Sequence, residues 1–91
     1  MKTNNKIFDF TVCNMPDEEI FYKQCKALED NIPGLKKVDL LHDVDGSLVQ
    51  IYSHPRGEIT VSNDFYVGAL YVQADFNLLP YFKKQLKVLA Q

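Results

Sequence analysis

Apolar and polar residues alternate through four short runs between residues 38 and 74. The runs are separated by Asp45-Gly46, by a His-Pro-Arg-Gly segment at residues 54–57, and by Asn63-Asp64. Alternation with a period of two is typical of strands that bury one face, and Gly, Pro, Asp and Asn favour the turns between them. The pattern therefore predicts an antiparallel meander of four strands.

Two of the breaks predict the register of the meander. An Asp-Gly pair favours a two-residue hairpin turn, because such turns need positive φ, which Gly adopts freely. A turn at Asp45-Gly46 predicts an inner face formed by Val38, Leu40, His42, Val44, Ser47, Val49 and Ile51. The predicted outer face then carries Asp39, Leu41, Asp43, Leu48, Gln50 and Tyr52. A second turn at Asn63-Asp64 adds Ile59, Val61, Tyr66, Gly68, Leu70 and Val72 to the inner face, and Thr60, Val67, Ala69, Tyr71 and Gln73 to the outer face.

The flanking segments predict one further strand and two helices. A strand is expected from Ile7 to Cys13, and a helix from Pro16-Asp17 to Pro33-Gly34, with an apolar stripe of Phe21, Cys25, Leu28 and Ile32. Helical spacing returns after Asp75 with Leu78, Phe82, Leu86 and Leu89. We therefore expect an α+β domain over residues 1–91, in the order β-α-β-β-β-β-α. About five mainly antiparallel strands would form a single layer, with both helices packed on it.

Composition narrows the functional classes. With 91 residues, 46% of them hydrophobic, and a net charge of -2, the chain suits one globular domain. The charge gives no general reason to expect binding to nucleic acid or to an anionic membrane, and Lys83, Lys84 and Lys87 suit the end of a helix. The first residues lack the pattern of a secretory signal, so a cytoplasmic protein with two buried thiols is expected.

The candidate chemistry is sparse. The segment from Asp43 to Ser47 resembles the start of a calcium loop, but Leu48 and His54 stand where such a loop needs Gly and Glu. Neither His42 nor His54 has a nucleophile or a carboxylate at a spacing that indicates catalysis. We therefore expect no catalytic residues, no metal and no cofactor.

The predicted outer face is mixed in character. Its apolar residues, Leu41, Leu48, Tyr52, Val67 and Tyr71, stand among Asp39, Asp43, Gln50, Thr60 and Gln73. Such a face is too apolar to lie wholly in water and too polar for a core. Three kinds of cover are consistent with it: the second helix, a second copy of the chain, or a different protein.

Five segments carry a family resemblance. They read IFDFTV, NIPGLKK, DVDGSLVQIYS, GEITVSNDFYVGALYV and DFNLLPYFKK, and together they span most of the chain. In their order and general character they resemble the small immunity proteins encoded beside bacterial polymorphic or contact-dependent toxins. The resemblance implies a one-domain cytosolic protein that binds and blocks one toxin domain, often a nuclease, and it implies no catalytic residues.

On this hypothesis the partner-binding residues are on the predicted outer face and its turns. They are Asp39, Asp43, Asp45, Tyr52, Glu58 and Tyr71. Two alternatives remain open from the sequence. One is a small regulatory or oligomerising module that pairs with a second copy, and the other is a ligand-binding domain or enzyme that uses His42 or His54.

Overall fold

The structure, a computed structural model, describes residues 8–84. Its elements are β1 (Phe8–Cys13), α1 (Glu18–Asn31), β2 (Lys36–His42), β3 (Leu48–His54), β4 (Gly57–Asp64), β5 (Ala69–Ala74) and a 3-10 helix (Leu79–Lys84). The predicted α+β class and the five antiparallel strands are confirmed. Residue Ile7, included in the predicted first strand, lies outside the described residues.

The five strands form one sheet in the order β1-β5-β4-β3-β2. The meander from β2 to β5 pairs neighbour with neighbour, and β1 returns to lie antiparallel to β5 at the far edge. The two edges of the described sheet are therefore β1 and β2. The alternation of apolar and polar residues did not predict the position of β1, because β1 and β5 are distant in the chain.

Helix α1 forms where the sequence predicts it. Asp17 is the N-cap, and its side chain accepts a hydrogen bond from the Ile20 N–H at 3.0 Å. The predicted stripe is buried, with Phe21, Cys25 and Leu28 in the helix and Ile32 at its C-cap. This stripe packs on one face of the sheet, which we call the covered face.

The pairing registers define both faces. The central residues of the covered face are Leu48, Gln50, Tyr52, Ile59, Val61, Asn63, Leu70, Val72 and Ala74. The opposite face, which we call the open face, carries Asp9, Thr11, Lys36, Asp39, Leu41, Val49, Ile51, Ser53, Glu58, Thr60, Ser62, Asp64, Ala69, Tyr71 and Gln73. The covered-face residues and the α1 stripe share a single core.

The predicted register of β2 against β3 is wrong by one residue. The Asp43 N–H donates to the Ser47 carbonyl at 2.9 Å, and the Gly46 N–H donates to the Asp43 carbonyl at 3.1 Å. These bonds close a three-residue loop with Gly46 at a φ of 93°, a common alternative to the two-residue turn. His42 consequently lies opposite Leu48 rather than Val49.

A slip of one residue exchanges the two faces of a strand. Leu48, Gln50 and Tyr52, expected on the outer face, are buried on the covered face, whereas Val49 and Ile51 lie on the open face. The expected inner residues Val38 and Val44 are exposed, the first in a bulge between Lys37 and Asp39 and the second in the loop.

The second hairpin has a different turn from the predicted one. Tyr66 and Gly68, expected on the inner face, and Val67, expected on the outer face, lie in this turn instead, whereas the strands on either side keep their faces. The turn lies at residues 65–68, where the Gly68 N–H donates to the Asp64 carbonyl at 2.8 Å. Val61 therefore lies opposite Val72 instead of Tyr66. The displacement is an even number of residues, so Ile59, Val61, Leu70 and Val72 remain together on the covered face as predicted.

The expected second helix is not an α-helix over its described part. After Leu78, which is fully buried in the core, the chain forms the 3-10 helix Leu79–Lys84. The Tyr81 N–H donates to the Leu78 carbonyl at 2.9 Å, which is the tighter bond of this geometry. Pro80 cannot donate a backbone bond. Residues 85–91 lie outside the described residues.

Within residues 8–84, no helix is long and apolar enough to cross a bilayer.

Candidate functional site: the open sheet face and its acidic end

No element within residues 8–84 covers the open face. Helix α1 packs on the covered face through Phe21 and Leu28, and the segment after β5 places Leu78 in the same core. The pairing of His54 in β3 places it on the covered face, and its ring stacks on Phe76 with a centroid separation of 4.9 Å. This segment therefore also lies on the covered side, and no part of residues 8–84 covers the open face.

The open face combines apolar and acidic side chains. Val49 and Ile51 lie half-buried on β3, and Leu41 on β2 is 47% exposed. The acids are Asp9, Asp39, Glu58 and Asp64, and Lys36 is the one basic residue with this register in the described strands. The predicted mixture is therefore present, but β3 contributes Val49 and Ile51 to it in place of Leu48 and Tyr52.

One end of the open face is formed by two turns in contact. The Phe65 N–H, in the β4–β5 turn, donates to the Ser47 hydroxyl at the end of the β2–β3 turn at 2.9 Å. Beside this contact, Val44, Tyr66 and Val67 are strongly exposed. Side chains this apolar are rarely exposed together on the surface of a monomer unless they bind something.

The same end is acidic. Asp43, Asp45 and Asp64 lie in or beside the two turns, and we call this region the acidic end. In the sequence from Val38 to Phe82 the only Lys or Arg is Arg56. Arg56 lies in the β3–β4 turn at the opposite end of the sheet, so no cation of that stretch is near the three carboxylates.

A cleft of about 430 Å³ opens between the two turns. Its lining residues are Leu41, His42, Asp43, Asp45, Ser47, Val49, Asp64 and Tyr66. Apolar side chains from β2 and β3 thus adjoin the carboxylates, with an exposed aromatic ring at the rim. This arrangement suits a side chain with an apolar stem and a cationic head.

The carboxylates of the acidic end are held in fixed orientations by the turns. The Asp45 side chain accepts the Ser47 N–H at 2.9 Å, and this bond is the main reason that the pKa of Asp45 is lowered. The Asp64 side chain accepts the N–H groups of Tyr66 and Val67, and it also accepts the Tyr71 hydroxyl at 3.1 Å. Turn formation is therefore one role of these residues.

Tyr71 reports the environment of the open face. Its hydroxyl is partly desolvated and donates to Asp64, and these two effects raise the pKa of Tyr71.

Within residues 8–84, no three His, Cys, Asp or Glu side chains are placed to hold a metal ion.

The expected position of Tyr52 at the outer face is wrong. Its side chain is fully buried on the covered face, where the hydroxyl donates to a Glu29 carboxylate oxygen at 2.6 Å. Glu29 in turn lies 3.6 Å from the Lys37 ammonium group. Burial raises the pKa of Tyr52 and raises that of the adjacent Cys25 thiol to about 11. Tyr52 therefore belongs to the core, out of reach of a partner.

The two histidines differ in their surroundings. His54 Nδ1 accepts the Arg56 N–H at 3.1 Å, and its Nε2 lies 3.0 Å from the Pro33 carbonyl. The Arg56 N–H can only donate, so Nδ1 is the acceptor and carries no proton. The proton of the neutral imidazole is therefore on Nε2, which donates to the Pro33 carbonyl. His54 thus ties the β3–β4 turn to the end of α1. His42 is exposed at the end of β2.

Five of the six expected contact residues remain accessible. Asp39, Glu58 and Tyr71 lie on the open face, and Asp43 and Asp45 lie at its acidic end. Sequence reasoning missed Val49 and Ile51, because the predicted register, wrong by one residue, placed both on the inner face. It also missed Tyr66, because the predicted turn at Asn63-Asp64 placed this residue on the inner face, whereas it is exposed in the turn at residues 65–68.

Comparisons with models of protein families, with curated protein sequences and with solved structures found no match.

Proposed function

We propose that this protein binds a basic surface of another protein through its open face and acidic end, and that the partner is a toxin domain. The observation that supports the proposal is an uncovered sheet face that carries aliphatic side chains and carboxylates side by side. The choice of a toxin as the partner comes from the resemblance to immunity proteins.

The aliphatic residues would form the centre of the interface. Val49 and Ile51 lie on a central strand, with Leu41 beside them on β2. Interfaces are typically most apolar at the centre and polar at the rim, and the residues that cost most when truncated cluster at that centre. The arrangement of the open face matches this distribution.

The acidic end would direct the partner. Carboxylates at the rim raise the rate of encounter with a cationic surface more than they slow release. A nuclease must present cationic side chains to the phosphates of its substrate. A nuclease domain is therefore the kind of toxin whose substrate-binding surface an acidic protein could block.

Co-expression with the product of the adjacent gene tests the proposal. We expect a one-to-one complex, with association that slows as salt is added. Asp43→Lys should slow association, whereas the matched control Asp30→Lys, an exposed position on α1, should have little effect. Ile51→Asp should hasten dissociation, because it places a charge in the desolvated centre.

Three outcomes would reject the proposal. Failure to form a complex with that product would reject the toxin as the partner. A complex that tolerates both Asp43→Lys and Ile51→Asp would show that the interface lies on another surface. Equal slowing by Asp43→Lys and Asp30→Lys would show that only the net charge matters.

A further inference from the structure

Strand β2 is an edge of the sheet with no further strand beside it among residues 8–84, and it is exposed along nearly all its length. Of its seven residues, only Leu40 is partly buried. Val38 and Leu41 are 59% and 47% exposed, which is unusual for aliphatic side chains on a sheet. An edge of this kind presents free backbone groups to any strand that can align with it.

The direction of those backbone groups follows from the loop. The Asp43 N–H donates to Ser47 and so points towards β3. Because N–H groups alternate in direction along a strand, those of Leu40 and His42 point away from the sheet. The pairing with β3 is regular from Asp39 to His42, so this half of β2 is a straight, hydrogen-bonding edge.

Charge is distributed unequally along the same edge. Lys36 and Lys37 begin β2, while Asp43 and Asp45 follow its end. An antiparallel second copy of β2, centred near Leu40, would bring Lys36 of each strand near Asp43 of the other, whereas Lys37 is paired with Glu29. A parallel alignment would instead place lysine beside lysine. By contrast, Asp9 is the single charged residue of β1, which forms the other edge.

We propose that β2 pairs antiparallel with β2 of a second copy of this chain, joining two five-stranded sheets into one continuous sheet. Lysines and bulges commonly protect an edge strand from such pairing. Here the protecting charges are complementary to those at the other end of the same strand. The two open faces lie on the same side of the joined sheet, and self-pairing does not depend on the function proposed above, although both use Asp43.

Sedimentation equilibrium of the full chain, from about 1 µM to about 500 µM, tests this proposal. We expect monomer at the low end and dimer at the high end, with weaker association at high salt. Lys36→Glu and Asp43→Lys should each weaken the dimer by about tenfold, because each creates like-charge contacts twice by symmetry. Lys23→Glu, on α1, is the matched control and should leave the dimer unchanged.

Mixing the two variants provides the sharpest test. Lys36→Glu carries acids at both ends of β2, and Asp43→Lys carries lysines at both ends. Their equimolar mixture should therefore form a heterodimer as tight as the wild-type dimer, while circular dichroism confirms that each is folded. A wild-type chain that is monomeric at every concentration would overturn the proposal. A dimer insensitive to Lys36→Glu, or a mixture that fails to associate, would also overturn it.

Discussion

The two faces of the sheet use similar aliphatic residues for different purposes. On the covered face, Ile59 and Leu70 are completely buried beneath α1. On the open face, Val49 and Ile51 lie on the neighbouring strand β3 but keep part of their surface in solvent. The covered face holds the fold together, whereas the open face leaves apolar surface unused by the described fold. Neighbouring residues of β3 thus alternate between the core and the face that we propose as the partner-binding surface.

A pair of leucine truncations should show the largest difference between the faces. Leu70→Ala removes a fully buried side chain and should lower the free energy of unfolding by about 2 to 5 kcal/mol. Leu41→Ala, at an exposed position of the open face, should change it by about 0.5 kcal/mol or less. Urea denaturation of both variants measures the difference. Equal losses would mean that something covers the open face in the free protein.

Two tyrosines offer a smaller contrast of the same kind. Tyr52 and Tyr71 each donate a hydrogen bond to a carboxylate, the first at 2.6 Å in the core and the second at 3.1 Å on the open face. Tyr52→Phe should cost about 1 to 2 kcal/mol, since it leaves a buried site without its bond. Tyr71→Phe should cost less than about 1 kcal/mol. A larger loss at Tyr71 would contradict the assigned faces.

A third contrast, in the pH dependence of stability, is an alkaline weakening that originates on the covered face. Burial raises the pKa of Cys25 from 9.0 to about 11, so the folded state holds this proton more tightly than the unfolded chain does. The contribution is complete below pH 9 and is lost as pH rises towards 11. Urea midpoints across this range should fall for the wild type and fall less steeply for Cys25→Ala. An identical slope would assign the alkaline weakening to other groups.

The elements of this fold could be predicted from the sequence with more success than their register. The α1 stripe was predicted correctly because Phe21, Cys25 and Leu28 recur at spacings of four and three residues, which place them on one side of the helix. Strand β3 reads Leu48-Val49-Gln50-Ile51-Tyr52, with large apolar residues on both faces, so alternation could not decide which face is buried. The register then depended on the turn alone, and Asp45-Gly46 is compatible with a loop of either two or three residues.

The candidate site was only partly predictable for the same reason. Asp39, Glu58 and Tyr71 were correctly placed, because strands β2, β4 and β5 kept their faces. Tyr52 was misplaced with the rest of β3. The contact between the two turns, through Ser47 and Phe65, joins residues from different hairpins, and no local pattern in the sequence indicates it.

The central claim is that the open face, not the α1 side, binds the partner. Hydroxyl-radical footprinting of the complex with the adjacent gene's product tests it most directly, because it reports the exposure of individual side chains. Tyr66 at the acidic end and Tyr22 on α1 are both exposed in the free chain and serve as matched reporters. Our account predicts that binding protects Tyr66, Leu41 and Tyr71 and leaves Tyr22 unchanged. Protection of Tyr22 with continued oxidation of Tyr66 and Leu41 would contradict it.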